Sequence, residues 1–321
     1  MLNRNNQIDI LRGVGIIAMI LIHITAWHRS DLLASSLWNV SQFAVQSFIF
    51  CSGYLFFLKE RSGKTIHTLN YFMKRAARLL SPYYVFLVFY LPLEFIESPG
   101  RFSWEYVLKS ATLTGGTDLN WIILLFLVLS VLMPILLGLL RKHRLLFYAY
   151  VILAALSSIL FMNLELKNYK FIMWLPWSLI ILFSWLFTKL QGRVTTFYFF
   201  ISSLVAAIIL TFYLSVQSHS LLLFDNKYPP NLYYLLYGLA WISGLWFMLS
   251  FLDLEKKRWN LVRFFSIHSY SIYFIHFWIF TFMRVVLKTH FYWGYDFIIV
   301  IASTAGVQWM MNALSARLHV K

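Results

Sequence analysis

Residues 119–140 read L-N-W-I-I-L-L-F-L-V-L-S-V-L-M-P-I-L-L-G-L-L, 22 positions without a charge, and Arg141, Lys142 and Arg144 follow at once. A helix rising about 1.5 Å per residue needs about 20 apolar residues to cross a hydrocarbon core, so this stretch reads as a transmembrane span. Outward from it, comparable stretches lie at 9–28, 36–58, 77–96, 145–162, 171–190, 195–216, 230–252, 264–287 and 293–314. Short polar connections separate them, among them 59–64, 141–144, 189–193 and 253–258. The predicted fold is all-α: a polytopic bundle of about ten spans, with 1–321 as a single membrane domain and no appended soluble domain.

Composition points the same way. The chain is 60% hydrophobic and 12% charged, against about 45–50% and about 25% in an ordinary soluble domain. A water-soluble fold of 321 residues cannot hide that much apolar surface. Residues 13–27 imitate a signal-peptide core, but no small-residue cleavage pattern follows, and the stretch reads as a retained helix. The single cysteine, Cys51, rules out an intrachain disulfide.

A net charge of +15 would suggest nucleic acid in a soluble protein, but here its distribution matters more. With the N-terminus inside, 19 of the 27 Lys and Arg residues fall on the cytoplasmic side. The other eight (Arg29, Arg101, Lys109, Lys167, Lys170, Lys227, Arg284, Lys288) are balanced by eight outer acids, Glu165 among them. The cytoplasmic set includes Arg4, Lys64 and Lys321. This is the positive-inside pattern, and it predicts an even number of spans with both termini cytoplasmic. Trp and Tyr gather near the span ends, as at Trp27, Trp38, Tyr83 and Trp121, which fits interfacial belts and equally fits ordinary aromatic packing.

Polar groups inside a membrane are costly, so each needs a reason. Arg12 and His23 are eleven residues apart, almost a whole number of helical turns, so they share one stripe about 16 Å apart along the axis. The plainer reading is a snorkelling arginine and a packed histidine. Asp9, three residues before Arg12, is read either as an orienting partner or, more plainly, as a solvated acid at the helix start. In Phe50-Cys51-Ser52-Gly53-Tyr54, Gly53 suits a close helix crossing. Ser52 is left three roles: bonding its own helix, lining a cavity, or accepting an acyl group. Arg75 and Arg78, at i and i+3, present two guanidinium forks on one helix face, suited to phosphates or to lipid headgroups. Ser269, Tyr273 and His276 share a face by i, i+4, i+7 spacing. His276 is a second proton carrier, a hydrogen-bond donor, or a packed core residue. Neither an HExxH pattern, a Cys/His cluster nor a Gly-rich phosphate loop occurs, so no metal and no ATP chemistry is predicted.

Taken together, Ile8-Asp9-Ile10-Leu11-Arg12-Gly13 with His23, Phe48 to Tyr54, Lys74 to Tyr83, and Ser269 to His276 resemble the acyltransferase-3 family of integral membrane acyltransferases. A weaker match runs from Asn120-Trp121 to Pro134. The resemblance implies transfer of an acyl group, commonly acetyl, from cytoplasmic acetyl-CoA or another acyl-CoA to a hydroxyl or amine of an extracytoplasmic carbohydrate or glycolipid. It implies a bacterial cytoplasmic membrane, with lipids as partners and no nucleic acid. It assigns His23 and Arg12 to catalysis, Arg75 and Arg78 to the CoA phosphates, and Ser52, Trp121, Tyr273 and His276 to the pocket. His23 would act as general base or as a transient acyl carrier. The rival reading is a transporter of polysaccharide or lipid-linked sugar, whose polar residues line a path. Acceptor, acyl chain and oligomeric state are not legible in the sequence.

Overall fold

The computed structural model describes residues 5–61, 68–164, 169–190, 192–289 and 291–318. Arg4, Lys64, Glu165, Lys167 and Lys321 of the charge map lie outside the described residues. Among the described residues the chain is helical apart from turns and one isolated bridge between Lys227 and Pro230. The helices are α1 (Asn6–Thr25), α2 (Leu32–Val40), α3 (Ala44–Arg61), α4 (Thr68–Glu97), α5 (Trp104–Ala111), α6 (Asn120–Lys142), α7 (Arg144–Leu160), α8 (Trp174–Lys189), α9 (Arg193–Val216), α10 (Leu232–Leu249), α11 (Asn260–Ile267), α12 (Ser269–Val285) and α13 (Trp293–Leu318).

Among the described residues eight segments are long and apolar enough to cross a membrane. One of them, Leu32–Arg61, joins α2 and α3 through a single 3-10 turn at Ser41–Phe43. The other two predicted stretches form helices of 17 residues, α7 and α12. The predicted bundle is therefore present, with shifted edges. α4 begins at Thr68, nine positions before the expected 77, because Lys74, Arg75 and Arg78 are good helix formers and extend the helix past its apolar part. The predicted 264–287 span is divided at His268 into α11 and α12. Helix starts use local caps: Asn5 Oδ1 accepts from the amides of Gln7 and Ile8, Asp31 Oδ1 from Ala34, and Asn231 Oδ1 from Tyr234.

α1 and the 32–61 segment form the buried centre, whereas α9 and α13 expose most of their surface. The exposed residues there, such as Phe212 and Ile298, are apolar, as lipid contact requires. Two glycines fix the central crossings. A Cβ on Gly13 would overlap the backbone oxygen of Val262, and one on Gly53 would overlap Ser184 Oγ. Helices α1 and α11, and α3 and α8, are thus closer than any side chain permits, as small residues allow in lipid.

Polar contacts tie the helices together at the two ends of the bundle. At the basic end, Arg61 donates to Thr188 O at 2.7 Å, Arg193 to Ser250 O at 2.8 Å, and Arg141 pairs with Glu60. At the opposite end, His28 lies 3.2 Å from Asp296. Asn6, which starts α1, contacts Arg263, and Asn312 in the last turns of α13 contacts His268. Both described chain ends therefore sit at the basic end.

Candidate active site

A cavity of about 430 Å³ lies among α1, α3, α4, α6 and α12, within the roughly 300–1,000 Å³ of small-molecule sites. Its charged wall comes from Arg12, Lys59, Arg75 and Arg78, and among the described residues no carboxylate lines it. Arg78 and Lys59 are exposed, which puts the mouth at the basic end. The wall then turns apolar along Phe48, Ile122, Ile123 and Phe126. Because α6 starts at Asn120 at the other end of the bundle, the cavity runs deep, as far as the first turns of that helix.

Arg75 is held rather than free. Its Nη2 donates to Ser52 Oγ at 2.6 Å, while its Nε is buried and has no partner. A guanidinium with an unused donor on a basic cavity wall suits an anionic oxygen. Of the three roles open to Ser52, the structure realises cavity lining, with its hydroxyl engaged by Arg75. Asp9 departs from its plainer reading: it is 8% exposed, near Cys51, and not solvated. The packing of α1 against α3, where Cys51 approaches Ile8 O at 3.9 Å, places it inside.

Tyr273 joins the cavity to the histidines. It lines the cavity, and its ring centroid is 6.4 Å from that of His23. His23 also meets His276 at 5.3 Å and Phe277 at 5.0 Å. His276 is fully buried, and its Nδ1 lies 2.9 Å from Ile272 O. A carbonyl can only accept, so Nδ1 carries the hydrogen and Nε2 of the neutral ring is a lone-pair acceptor. That Nε2 has no partner. The predicted hydrogen-bond donation by His276 is thus already committed to its own helix, and what it offers the site is an acceptor.

Trp121 and His276 do not line the cavity. One residue along a helix turns the side chain by about 100°, so Ile122 faces the cavity while Trp121 faces elsewhere. Trp121 stacks on Trp177 at 6.4 Å and meets Tyr228 edge-on at 5.0 Å.

Beside Trp121 lies a residue that sequence reasoning missed. The charge map places Lys227 on the outer surface, yet it is 4% exposed. Its Nζ is 3.3 Å from Gln42 Oε1, 5.4 Å from the Trp121 ring centroid and 5.2 Å from that of Tyr228, within electrostatic range of His23. Burial pushes its ammonium down to about 7. The loop Phe224–Asn231 holds it there: Asn226 Nδ2 donates to Ser220 O and Leu222 O at 2.9 and 2.8 Å, and Asn231 Nδ2 to Asn226 Oδ1 at 2.5 Å. The sequence signal was this Asn-bracketed Asn-Lys-Tyr-Pro-Pro-Asn segment, which carries no period that points inward.

Among the described residues no group of three or more His, Cys, Asp or Glu side chains could hold a metal. What the arrangement offers is a basic cavity with an apolar wall, in which Tyr273 stands 6.4 Å from the His23 ring and 5.9 Å from that of His276. Neither the curated proteins nor the solved structures give a match. A family model described as an acyltransferase domain matches residues 5–311 of the 321, and the chain, a multi-pass membrane protein, belongs to that acyltransferase-3 family.

Proposed function

We propose that this membrane acyltransferase takes an acyl group, acetyl in the simplest case, from cytoplasmic acyl-CoA and places it on a hydroxyl or amine of an extracytoplasmic carbohydrate or glycolipid. The observation that carries the reading is one cavity that is lined by four cations, opens at the basic end and includes Tyr273, which lies beside His23 and His276. Acyl-CoA is a polyanion on a long linear arm. Arg75, with its unused Nε, and Arg78 suit its phosphates, and the apolar wall suits the arm. Arg12, between these and His23, positions the phosphates or the thioester.

In the reaction, the acceptor oxygen attacks the thioester carbonyl while His23 takes its proton. The carbon–sulfur bond breaks, and the CoA thiolate recovers a proton from the imidazolium. Base catalysis of this kind contributes roughly 10²–10⁴ in rate. His276 Nε2 accepts a hydrogen bond from the acceptor hydroxyl or from His23, fixing its orientation.

The test is a His23→Ala protein that inserts and accumulates normally. Surface glycan that loses its acyl groups while its export continues supports acyl transfer. Lost export with undiminished acylation of the residual glycan favours transport and overturns the reading.

A further inference from the structure

At the mouth of the inner cavity Arg78 and Lys59 face solvent; Lys227 does not. It is 4% exposed, on the opposite side of His23, and among the described residues no carboxylate forms an ion pair with it. Among the described residues the hydrogen-bond partner of its Nζ is the neutral amide oxygen of Gln42 at 3.3 Å, near the long limit for such a bond. A buried cation so weakly paired is expensive unless something anionic joins it.

The surroundings combine aromatic rings with polar atoms that lack partners. Trp121, Tyr228 and Tyr169 are half-buried residues, and Tyr169 meets Tyr228 at 5.7 Å. Behind Trp121, the indole Nε1 of fully buried Trp177 has no acceptor, and beside His23 the Nε2 of His276 has no donor. A pyranose presents apolar C–H faces to aromatic rings and hydroxyls to both kinds of unfilled group. The braced loop that turns Lys227 inward makes the arrangement part of the fold rather than a chance rotamer.

We infer that the cluster of Lys227, Trp121 and Tyr228 is the acceptor site, and that the acceptor carries an anionic group, a carboxylate or a phosphate, bound by Lys227 next to the hydroxyl presented to His23. This rests on the acyl-transfer reading and names the acceptor's chemical class.

The test uses the purified full chain in nanodiscs, read by intrinsic tryptophan fluorescence. Titrations use methyl glucuronide, glucose 1-phosphate and, as the neutral control, methyl glucoside; CoA is titrated in parallel. The expected result is binding of one or both anionic sugars with the neutral one weaker by roughly tenfold or more, the scale of a hydrogen bond to a charged group. The uronide and phosphate arms tell the two anions apart. In Lys227→Gln the preference disappears and CoA binding is unchanged. Wild-type protein that binds charged and neutral sugars equally, or binds none, overturns the inference even if Lys227→Gln does not fold, as does a Lys227→Gln protein that keeps the preference. CoA binding lost in the wild type instead strikes the acyl-CoA reading, so the two failures are distinct.

Discussion

Replacing Lys227 with methionine tests whether this cation is held against its own preference for water. Its ordinary pKa of 10.5 falls to about 7 through burial alone. Between those values the unfolded chain binds more protons than the folded one, so stability rises with pH across that window. The penalty on the folded state is complete below about pH 7 and is gone above about pH 10.5. At about 1.36 kcal/mol per pKa unit its full size is about 5 kcal/mol. Methionine fills a similar volume but forfeits the Gln42 bond and the ring contacts at 5.4 and 5.2 Å, together about 2 kcal/mol. The variant should therefore gain about 3 kcal/mol near pH 6 and lose that advantage by about pH 10. Thermal unfolding followed by tryptophan fluorescence, at intervals from about pH 6 to pH 10, reads it as a difference in Tm. Roughly 3–6 °C in favour of the variant is expected near pH 6, and taking the difference cancels groups that titrate alike in both proteins. A difference that stays constant with pH, or wild type as the more stable protein near pH 6, would refute the reasoning.

Three other substitutions probe separate parts of the molecule. Arg75→Met removes both the Ser52 bond and the unused donor, and should weaken CoA binding by roughly tenfold or more, whereas Ser52→Ala should weaken it only a few-fold; calorimetric titration with CoA ranks the two. His276→Phe removes the free Nε2 acceptor and should lower kcat roughly 5–100-fold with the KM for acyl-CoA unchanged, measured by release of the CoA thiol. Gly53→Ala should destabilise by about 1–3 kcal/mol, because its Cβ meets Ser184 Oγ and also Ile181 Cδ1 at 3.2 Å. Adding Ser184→Gly should return part of that loss, and an additive double variant would contradict the crossing as described.

The apolar runs made the spans legible because lipid imposes a length and forbids charge, two constraints a reader can count. The 17-residue helices α7 and α12 were legible for the same reason. The cavity was partly legible, since Arg12, Arg75 and Tyr273 follow helical spacing and each wall helix places them predictably on a face. Trp121 shows the limit: a shift of one residue from Ile122 sends it to another surface, and no count along α6 reveals which surface the neighbouring helices leave open. The solvated reading of Asp9 and the outer-surface placement of Lys227 failed for a common reason. Charge near a span end is normally solvated, and only tertiary contacts, α3 against α1 and the braced Phe224–Asn231 loop against Gln42, turn these two inward. The unfilled Nε2 of His276 lay out of reach as well, because it depends on a hydrogen bond to Ile272 O that spacing permits without requiring.

The two cationic regions impose different demands on the bundle. A transporter must carry its cargo from one to the other, and that requires helices to rock apart around a central site. The crossings of α1 with α11 and of α3 with α8, closed to the level where Gly13 and Gly53 admit no Cβ, oppose such motion because those contacts would have to be broken and remade. Acyl transfer asks for less. Arg12 and His23 are about 16 Å apart along α1, a gap that a linear arm anchored among Arg75 and Arg78 can cover while the helices stay packed. Tyr273 is found both in the cavity wall and against His23. Rotation of a side chain occupies a much faster time range than helix rearrangement. Under the proposed reaction, then, the barrier between the two faces of the membrane need be no thicker than that phenol, and only the acyl group has to pass it.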